Sequence, residues 1–298
     1  MIICKILKNA LLPVFAGLVL PLAGQEPNCL RFILPEELRE VSGLYYAGPD
    51  SLWWHNDGGD TPRLLLTDSR GNLRKEVILP AAINEDWEDL SADKSGFIYI
   101  GDFGNNLNTR RDLRVYRYHP ATGMLDSIRY TYPDQREFPP PAARANFDVE
   151  AFFWHDDSLH LFTKNWLVKG DYYAKHYVLP ATPGEYTAQL RDSIYLKKRV
   201  VTAAAISPDG KTVALLSYYF RLRFGFLPTT RTTLWLLSGY QGSAYLRGNV
   251  KGKKIRKGPI PSQFETIDFL DNQSVLIASE RTPVYRQKAR KVRIAVSD

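Results

Sequence analysis

Asn84-Glu85-Asp86-Trp87-Glu88-Asp89-Leu90 is echoed by Asn146-Phe147-Asp148-Val149-Glu150-Ala151-Phe152, and both read Asn-x-Asp-x-Glu-x-apolar. Weaker copies are Leu38-Arg39-Glu40-Val41-Ser42-Gly43-Leu44, Val200-Val201-Thr202-Ala203-Ala204-Ala205-Ile206 and Pro261-Ser262-Gln263-Phe264-Glu265-Thr266-Ile267. Taking Ser42, Glu88, Glu150, Ala204 and Glu265 as equivalent anchors, an apolar run ends 14 residues after each, at Asn56, Asp102, Lys164, Tyr218 and Ser279. Anchor spacings of 46, 62, 54 and 61 residues mark a repeat architecture.

Each copy reads as a β-hairpin. An acid or small residue opens an apolar strand, a turn such as Gly48-Pro49-Asp50, Lys94-Ser95-Gly96 or Pro208-Asp209-Gly210 follows, and a second strand rich in β-formers closes the unit. Further strands follow at Arg63 to Thr67, Leu113 to Tyr118, Lys175 to Leu179, Thr233 to Leu237 and Val292 to Val296. Outer ones lie at Lys75 to Leu79, Ser127 to Tyr132 and Ser193 to Leu196. Four strands every fifty-odd residues is the grammar of a propeller blade. The chain is expected to be all-β, a single propeller of five four-stranded blades, with six as the alternative. Glu265 leaves 33 residues to the end, too few for a full blade. The missing outer strand is expected from Cys29 to Leu34, closing the ring and removing an open sheet edge.

Residues 1–24 read as a secretory signal peptide: Lys5 and Lys8 precede an apolar stretch from Ala10 to Leu20, and Leu22-Ala23-Gly24 is a small-residue exit. Residues 25–298 are then the propeller, exported to the periplasm, cell surface or medium as a monomer with no transmembrane segment. Cys4 leaves with the signal, so Cys29 is the one remaining thiol and no internal disulfide forms. Removing Lys5 and Lys8 leaves 37 basic and 32 acidic residues. The basic run Lys251 to Lys257 lacks interleaved aromatics, which speaks against nucleic acid as a partner.

Side chains two apart on a strand share a face. Asp86 with Glu88, and Asp148 with Glu150, therefore point together, joined by Glu40 and Glu265 from other blades. Six carboxylates at one end of a narrow shaft repel one another unless protonated, paired or bridged. Lys164 is one compensating charge. A Ca²⁺ ion held by Glu40, Asp86, Glu88, Asp148, Glu150 and Glu265 is one solution; acids that cap loops and pair with arginines are the other. Near absence of His and Cys from the repeats argues against zinc. On the same rim, His55 is a candidate general base and Asp102 a second catalytic candidate. Asn56, Asn105, Arg110 and Lys164 are candidate contacts for a small anionic or ester substrate.

Glu40-Val41-Ser42-Gly43-Leu44, His55-Asn56-Asp57-Gly58-Gly59, Asp86-Trp87-Glu88-Asp89, Gly101-Asp102-Phe103-Gly104-Asn105-Asn106 and Phe147-Asp148-Val149-Glu150-Ala151 resemble an uncharacterised family of secreted bacterial β-propellers. More distantly, an acid opening each inner strand is similar to gluconolactonase-like and esterase-like-phytase propellers. Those families imply a divalent cation, usually calcium, in the central channel, and hydrolysis of lactones or phosphate esters. Thr202 and Ala204 replace acids in the fourth copy and break the ring. No Gly-x-Ser-x-Gly nucleophile motif occurs. Two readings stand: a calcium-dependent hydrolase of small esters, lactones or phosphoesters, and a non-catalytic scaffold or ligand-binding propeller of the cell envelope.

Overall fold

The computed structural model describes residues 30–164, 172–223, 227–255 and 263–294. The signal segment, Cys29 and the end of the basic run at Arg256 and Lys257 lie outside them. Blade 1 is built from β2 (Val41–Gly48), β3 (Ser51–Asn56), β4 (Arg63–Thr67) and β5 (Leu73–Ile78), and β1 (Arg31–Ile33) precedes it. Blade 2 holds β6 (Trp87–Ala92), β7 (Ile98–Asp102), β8 (Arg114–Tyr118) and β9 (Leu125–Thr131). In blade 3, β10 (Val149–His155), β11 (Ser158–Thr163) and β12 (Tyr173–Pro180) are followed by β13 (Gly184–Thr187) and β14 (Gln189–Tyr195). Blade 4 contains β15 (Val200–Ile206), β16 (Thr212–Arg223), β17 (Leu227–Ser238) and β18 (Asn249–Lys254). Blade 5 is β19 (Phe264–Asp271), β20 (Ser274–Ser279) and β21 (Lys288–Arg293), completed by β1.

Closure runs through β1, which pairs antiparallel with β21 from Arg31 opposite Arg290 to Ile33 opposite Lys288. Leu34 N–H donates to Gln287 O at 3.2 Å, and Gln287 Nε2 donates to Pro35 O at 2.8 Å. The fold is a five-bladed propeller, with each inner strand packed on the next in the order β2, β6, β10, β15, β19 and back to β2. One strand departs from the expected plan. β13 leaves blade 3 and pairs in parallel with β9, adding a fifth strand to blade 2.

Alternation along the strands explains why the blades stack. Trp53 packs between blades 1 and 2, while its neighbour Trp54 packs between blades 5 and 1. Phe152 and Phe153 divide likewise between the interfaces on the two sides of blade 3. Five apolar clusters result, one per interface. Burial of these large side chains is the main favourable term in the fold.

Inner strands expose a backbone edge toward the axis, and neighbouring side chains satisfy part of it. Ser42 Oγ donates to Glu88 O (2.6 Å), and Thr202 Oγ1 donates to Phe264 O (3.1 Å). Asp89 Oδ2 accepts Phe152 N–H (3.1 Å), Ser91 Oγ accepts Trp154 N–H (2.8 Å), and Asp268 Oδ2 accepts Tyr46 N–H (2.7 Å). Buried main-chain donors need such partners. Part of the acidity of the inner strands is therefore structural.

The register shifts in all five inner strands: between Val41 and Gly43, Trp87 and Leu90, Val149 and Ala151, Val201 and Ala203, and Phe264 and Thr266. The displaced residues include Ser42, Glu88, Glu150, Thr202 and Glu265. This corrects the fourth anchor, which is Thr202 and not Ala204. Ala204 is instead the counterpart of Phe152, since both backbone N–H groups lie at Asp89 Oδ2. Bulges recur where a sheet must re-aim a side chain.

A candidate cation cradle at the channel mouth

At the end where the inner strands begin, Asp57, Asp86 and Glu88 offer carboxylate oxygens that all lie within 4.8 Å of one another. The three come from neighbouring blades. Asp57 follows the end of β3, whereas Asp86 leads into β6 and Glu88 sits in its bulge. Two glycines make the convergence possible. A Cβ on Gly58 would stand 2.6 Å from Asp86 Oδ1, and one on Gly104 would collide with Glu88 Oε1 and the Asp86 carboxylate. Neither glycine has a positive φ, so close approach of backbone to carboxylate is the reason for both. Gly58 N–H also donates to Asp57 Oδ1 at 2.6 Å.

Crowding shows in the proton affinities. Burial drives Glu88 well above the usual carboxylate range; Asp57, Asp148 and Asp86 add to this, and Lys164 opposes it. Burial pushes Asp57 up to about 7 against the Gly58 N–H, with Glu265 and Asp86 adding repulsion. Burial also raises Asp86, opposed by Arg110 and Lys164. Beside the trio lies a second crowded pair: Glu280 is raised by burial and by its neighbour Glu265, which also accepts Gln263 Nε2 at 2.7 Å.

Of the six residues expected to bind metal, Asp86 and Glu88 join the trio. Asp148 is close enough to perturb Glu88, and its Oδ1 accepts Asn105 N–H at 2.7 Å. Glu150 is ion-paired with Lys164. Glu265 stands with Glu280, and Glu40 is exposed at the rim. Among the described residues this trio alone brings three ligating His, Cys, Asp or Glu atoms within that distance.

The candidates of the rim separate. His55 does not reach the mouth: it is fully buried, edge-on to Trp87 at 5.4 Å between ring centroids, with Nδ1 2.7 Å from Asn56 O. Burial lowers its pKa to about 4. This ring is blade core, out of reach of a substrate. Asp102 is fully buried too, its Oδ1 accepting Asp86 N–H (3.0 Å) and Arg110 Nη2 (3.1 Å), with Arg114 Nε 3.6 Å from Oδ2. Its carboxylate is closed off from solvent and anchors the backbone of Asp86. Arg110 also donates to Gly104 O at 3.0 Å and pairs with Asp112, so it holds Gly104 against the trio. Asn105 accepts Arg110 N–H on Oδ1 and reaches Phe147 O through Nδ2. Asn56 Nδ2 donates to Glu37 O and Asp60 Oδ2, both at 2.7 Å. Lys164, of the four substrate candidates, is the one that lines an open pocket at this mouth, together with Asp148.

Asp57, Glu280, Gly58 and Gly104 are functional residues of the mouth that are not among the sequence candidates. A signal for the two acids was present: each directly follows a hairpin end, Asn56 or Ser279.

An all-oxygen donor set suits a hard cation. Two oxygens bound to one Ca²⁺ at about 2.3–2.6 Å lie no more than about 5.2 Å apart, so the observed separations fit. No helix in the described residues is long and apolar enough to cross a membrane.

No family model matches the chain, and no curated protein matches it. Solved structures similar to it include a putative gluconolactonase (TM-score 0.46, 10% identity, 89% of this chain and 92% of that one). A GH93 α-L-arabinofuranosidase of Fusarium graminearum, in complex with arabinobiose, matches with TM-score 0.49 at 10% identity over 89% of this chain and 97% of that one. Hydrazine synthase of Kuenenia stuttgartiensis matches with TM-score 0.41 at 14% identity over 83% of this chain, which spans 57% of that chain. Likenesses this distant carry no substrate or reaction across to this chain, which stands as a five-bladed propeller with a gluconolactonase-like structure among its neighbours.

Proposed function

We propose that this chain is an exported, monomeric, divalent-cation-dependent hydrolase of small esters, lactones or phosphoesters, working at the acidic mouth of the channel. The observation that carries the reading is the convergence of Asp57, Asp86 and Glu88 under Gly58 and Gly104. Unpaired carboxylates this close are costly unless they bind protons or a cation. Asp57, Asp86 and Glu88 would hold Ca²⁺, with Asp148 next to them. When bound, such a cation stabilises negative charge developing on a substrate oxygen and lowers the pKa of water.

The chain's own residues prepare the site. Arg110 fixes Gly104, and Asp102 fixes the backbone of Asp86, so the carboxylates do not depend on loop ordering at the moment of reaction. Lys164, paired with Glu150, brings a positive charge to the pocket floor, where it orients an anionic or ester group.

The test is a panel of chromogenic phosphomonoesters, phosphodiesters, lactones and acyl esters, run with Ca²⁺ and with chelator. At least one class should turn over with calcium alone, and Asp86→Asn should abolish that turnover without loss of β-sheet circular dichroism. No turnover on any class, with calcium bound by calorimetry, would favour a non-catalytic propeller. That second reading has its own support: Asp89, Asp102 and Asp268 all serve backbone or arginine groups.

A further inference from the structure

Beside the cradle is an open pocket of about 480 Å³. Asp148 and Lys164 line it together with two asparagines, Asn106 and Asn108, and Leu107, Pro139, Pro140, Ala142 and Ala145 form its apolar wall. The two loops that form it are tied together. Asn108 Oδ1 accepts Phe147 N–H at 2.9 Å, Gln135 Nε2 donates to Asn108 O at 2.9 Å, and the Arg111 guanidinium lies 3.8 Å over the Phe138 ring. Asn108 takes a left-handed conformation (φ 55°) to make this turn, a conformation Asn tolerates better than most residues. The walls are thus preformed, and prolines lose little entropy when a ligand orders against them.

Leu107 stands at the lip with 77% of its surface exposed, a large apolar side chain that the fold itself does not bury. An apolar wall with a few charged groups at one end is the usual composition of a small-molecule site, and this volume falls within the usual range. The charged end adjoins the cation cradle: Asp148 Oδ1 accepts the N–H of Asn105 at 2.7 Å, and the preceding residue, Gly104, lies against Glu88 Oε1 and the Asp86 carboxylate.

We propose that this pocket binds the apolar arm of an acyl ester, a straight chain on the order of six to eight carbons for a pocket of this size, with the ester group over Lys164 and the cradle. This rests on the hydrolase reading above and names its substrate class. It sets acyl esters apart from sugar-derived or polyphosphorylated substrates, which would face Leu107 and two prolines with hydroxyls or phosphates.

Two measurements test it. With calcium, kcat/KM for p-nitrophenyl esters should rise roughly two- to fourfold per added methylene from acetyl to octanoyl, as expected for burial of apolar surface. Leu107→Glu, at an exposed position that folding does not require, and Ala142→Trp, which fills the pocket, should each cut the octanoyl-to-acetyl ratio at least tenfold. Hydrolysis with no chain-length dependence, or with a ratio that neither variant changes, would overturn the pocket and leave the hydrolase reading standing. If a lactone or phosphoester is cleaved and no acyl ester is, the acyl-ester proposal is overturned and the hydrolase reading stands; if no class is cleaved, the hydrolase reading fails, and calorimetry with hexanamide decides on the pocket. This neutral probe needs no cation. It should bind the wild type and be lost in both variants; absence of binding to the wild type would overturn the proposal.

Discussion

Glu88→Gln should stabilise the protein when metal is absent and destabilise it relative to wild type when calcium is present. Glutamine keeps the volume of the side chain, and the main-chain carbonyl of residue 88 continues to accept Ser42 Oγ. What disappears is one charge within 4.8 Å of two others. Two unit charges at that separation repel by about 3.5 kcal/mol at an effective dielectric of about 20. Proton uptake already relieves part of this, because burial and crowding raise both Glu88 and Asp57. The net relief is on the order of 1–2 kcal/mol, or a rise in Tm of roughly 2–4 °C for a domain of this size. Calcium at a hundred times its Kd stabilises the wild type by about 2.7 kcal/mol. Melting curves at pH 8, where Asp57 is mostly ionised, should therefore cross: variant above wild type in chelator, wild type above variant in calcium. A variant that melts below wild type in both conditions, or that keeps the full calcium increment, would refute the cradle.

Three other outcomes are expected. Asp89→Ala removes the acceptor of Leu90 N–H, Phe152 N–H and the longer Ala204 contact, and should cost about 3–5 kcal/mol in urea unfolding, with Asp89→Asn near half of that; a loss below about 1 kcal/mol in both would show that water replaces the carboxylate. Deleting residues 30–34 bares the edge of β21 and removes buried Phe32 and Leu34, which should lower Tm and produce concentration-dependent association in size-exclusion chromatography; an unchanged elution volume with unchanged Tm would count against closure by β1. Burial holds His55 near 4 and His160 near 3, below the value of an unfolded histidine, so their contribution to stability is complete above about pH 6.5 and is lost as pH falls toward those values. His160→Gln should accordingly show a shallower decline in urea midpoint between pH 6.5 and 4 than wild type, and identical slopes would contradict a neutral buried ring.

The blades were legible because their hairpins obey one offset and their strands one alternation, and the outer strand supplied by Arg31 to Ile33 followed from counting what blade 5 lacked. Register was harder where no acid marked it. In blade 4 the Ala203-Ala204-Ala205 run gives no anchor and the turn around Pro208 to Lys211 is longer, so the alignment slipped by two residues. β13 was invisible, since four residues that join a neighbouring sheet in parallel carry no local pattern of their own. In the site, the pairing of acids two apart correctly united Asp86 with Glu88. It could not show which other acids meet main-chain donors, because Asp89 finds Phe152 63 residues away and Ala204 115 residues away. His55 failed as a catalytic candidate for a related reason. Its strand alternates between two interblade cores, and a polar letter there says nothing about which side is wet.

The five bulged positions divide into two trades. On blades 1 and 4 the displaced residue carries a hydroxyl, and Ser42 and Thr202 fasten to the main chain of the following blade. On blades 2, 3 and 5 it is Glu88, Glu150 or Glu265, which face other charges at the mouth. Adhesion and charge are thus assigned to different blades at one geometrically equivalent place. A ring laid out this way can change its ion chemistry at three positions without loosening the two that stitch it, which makes the acids the natural places to retune the mouth by design or by drift.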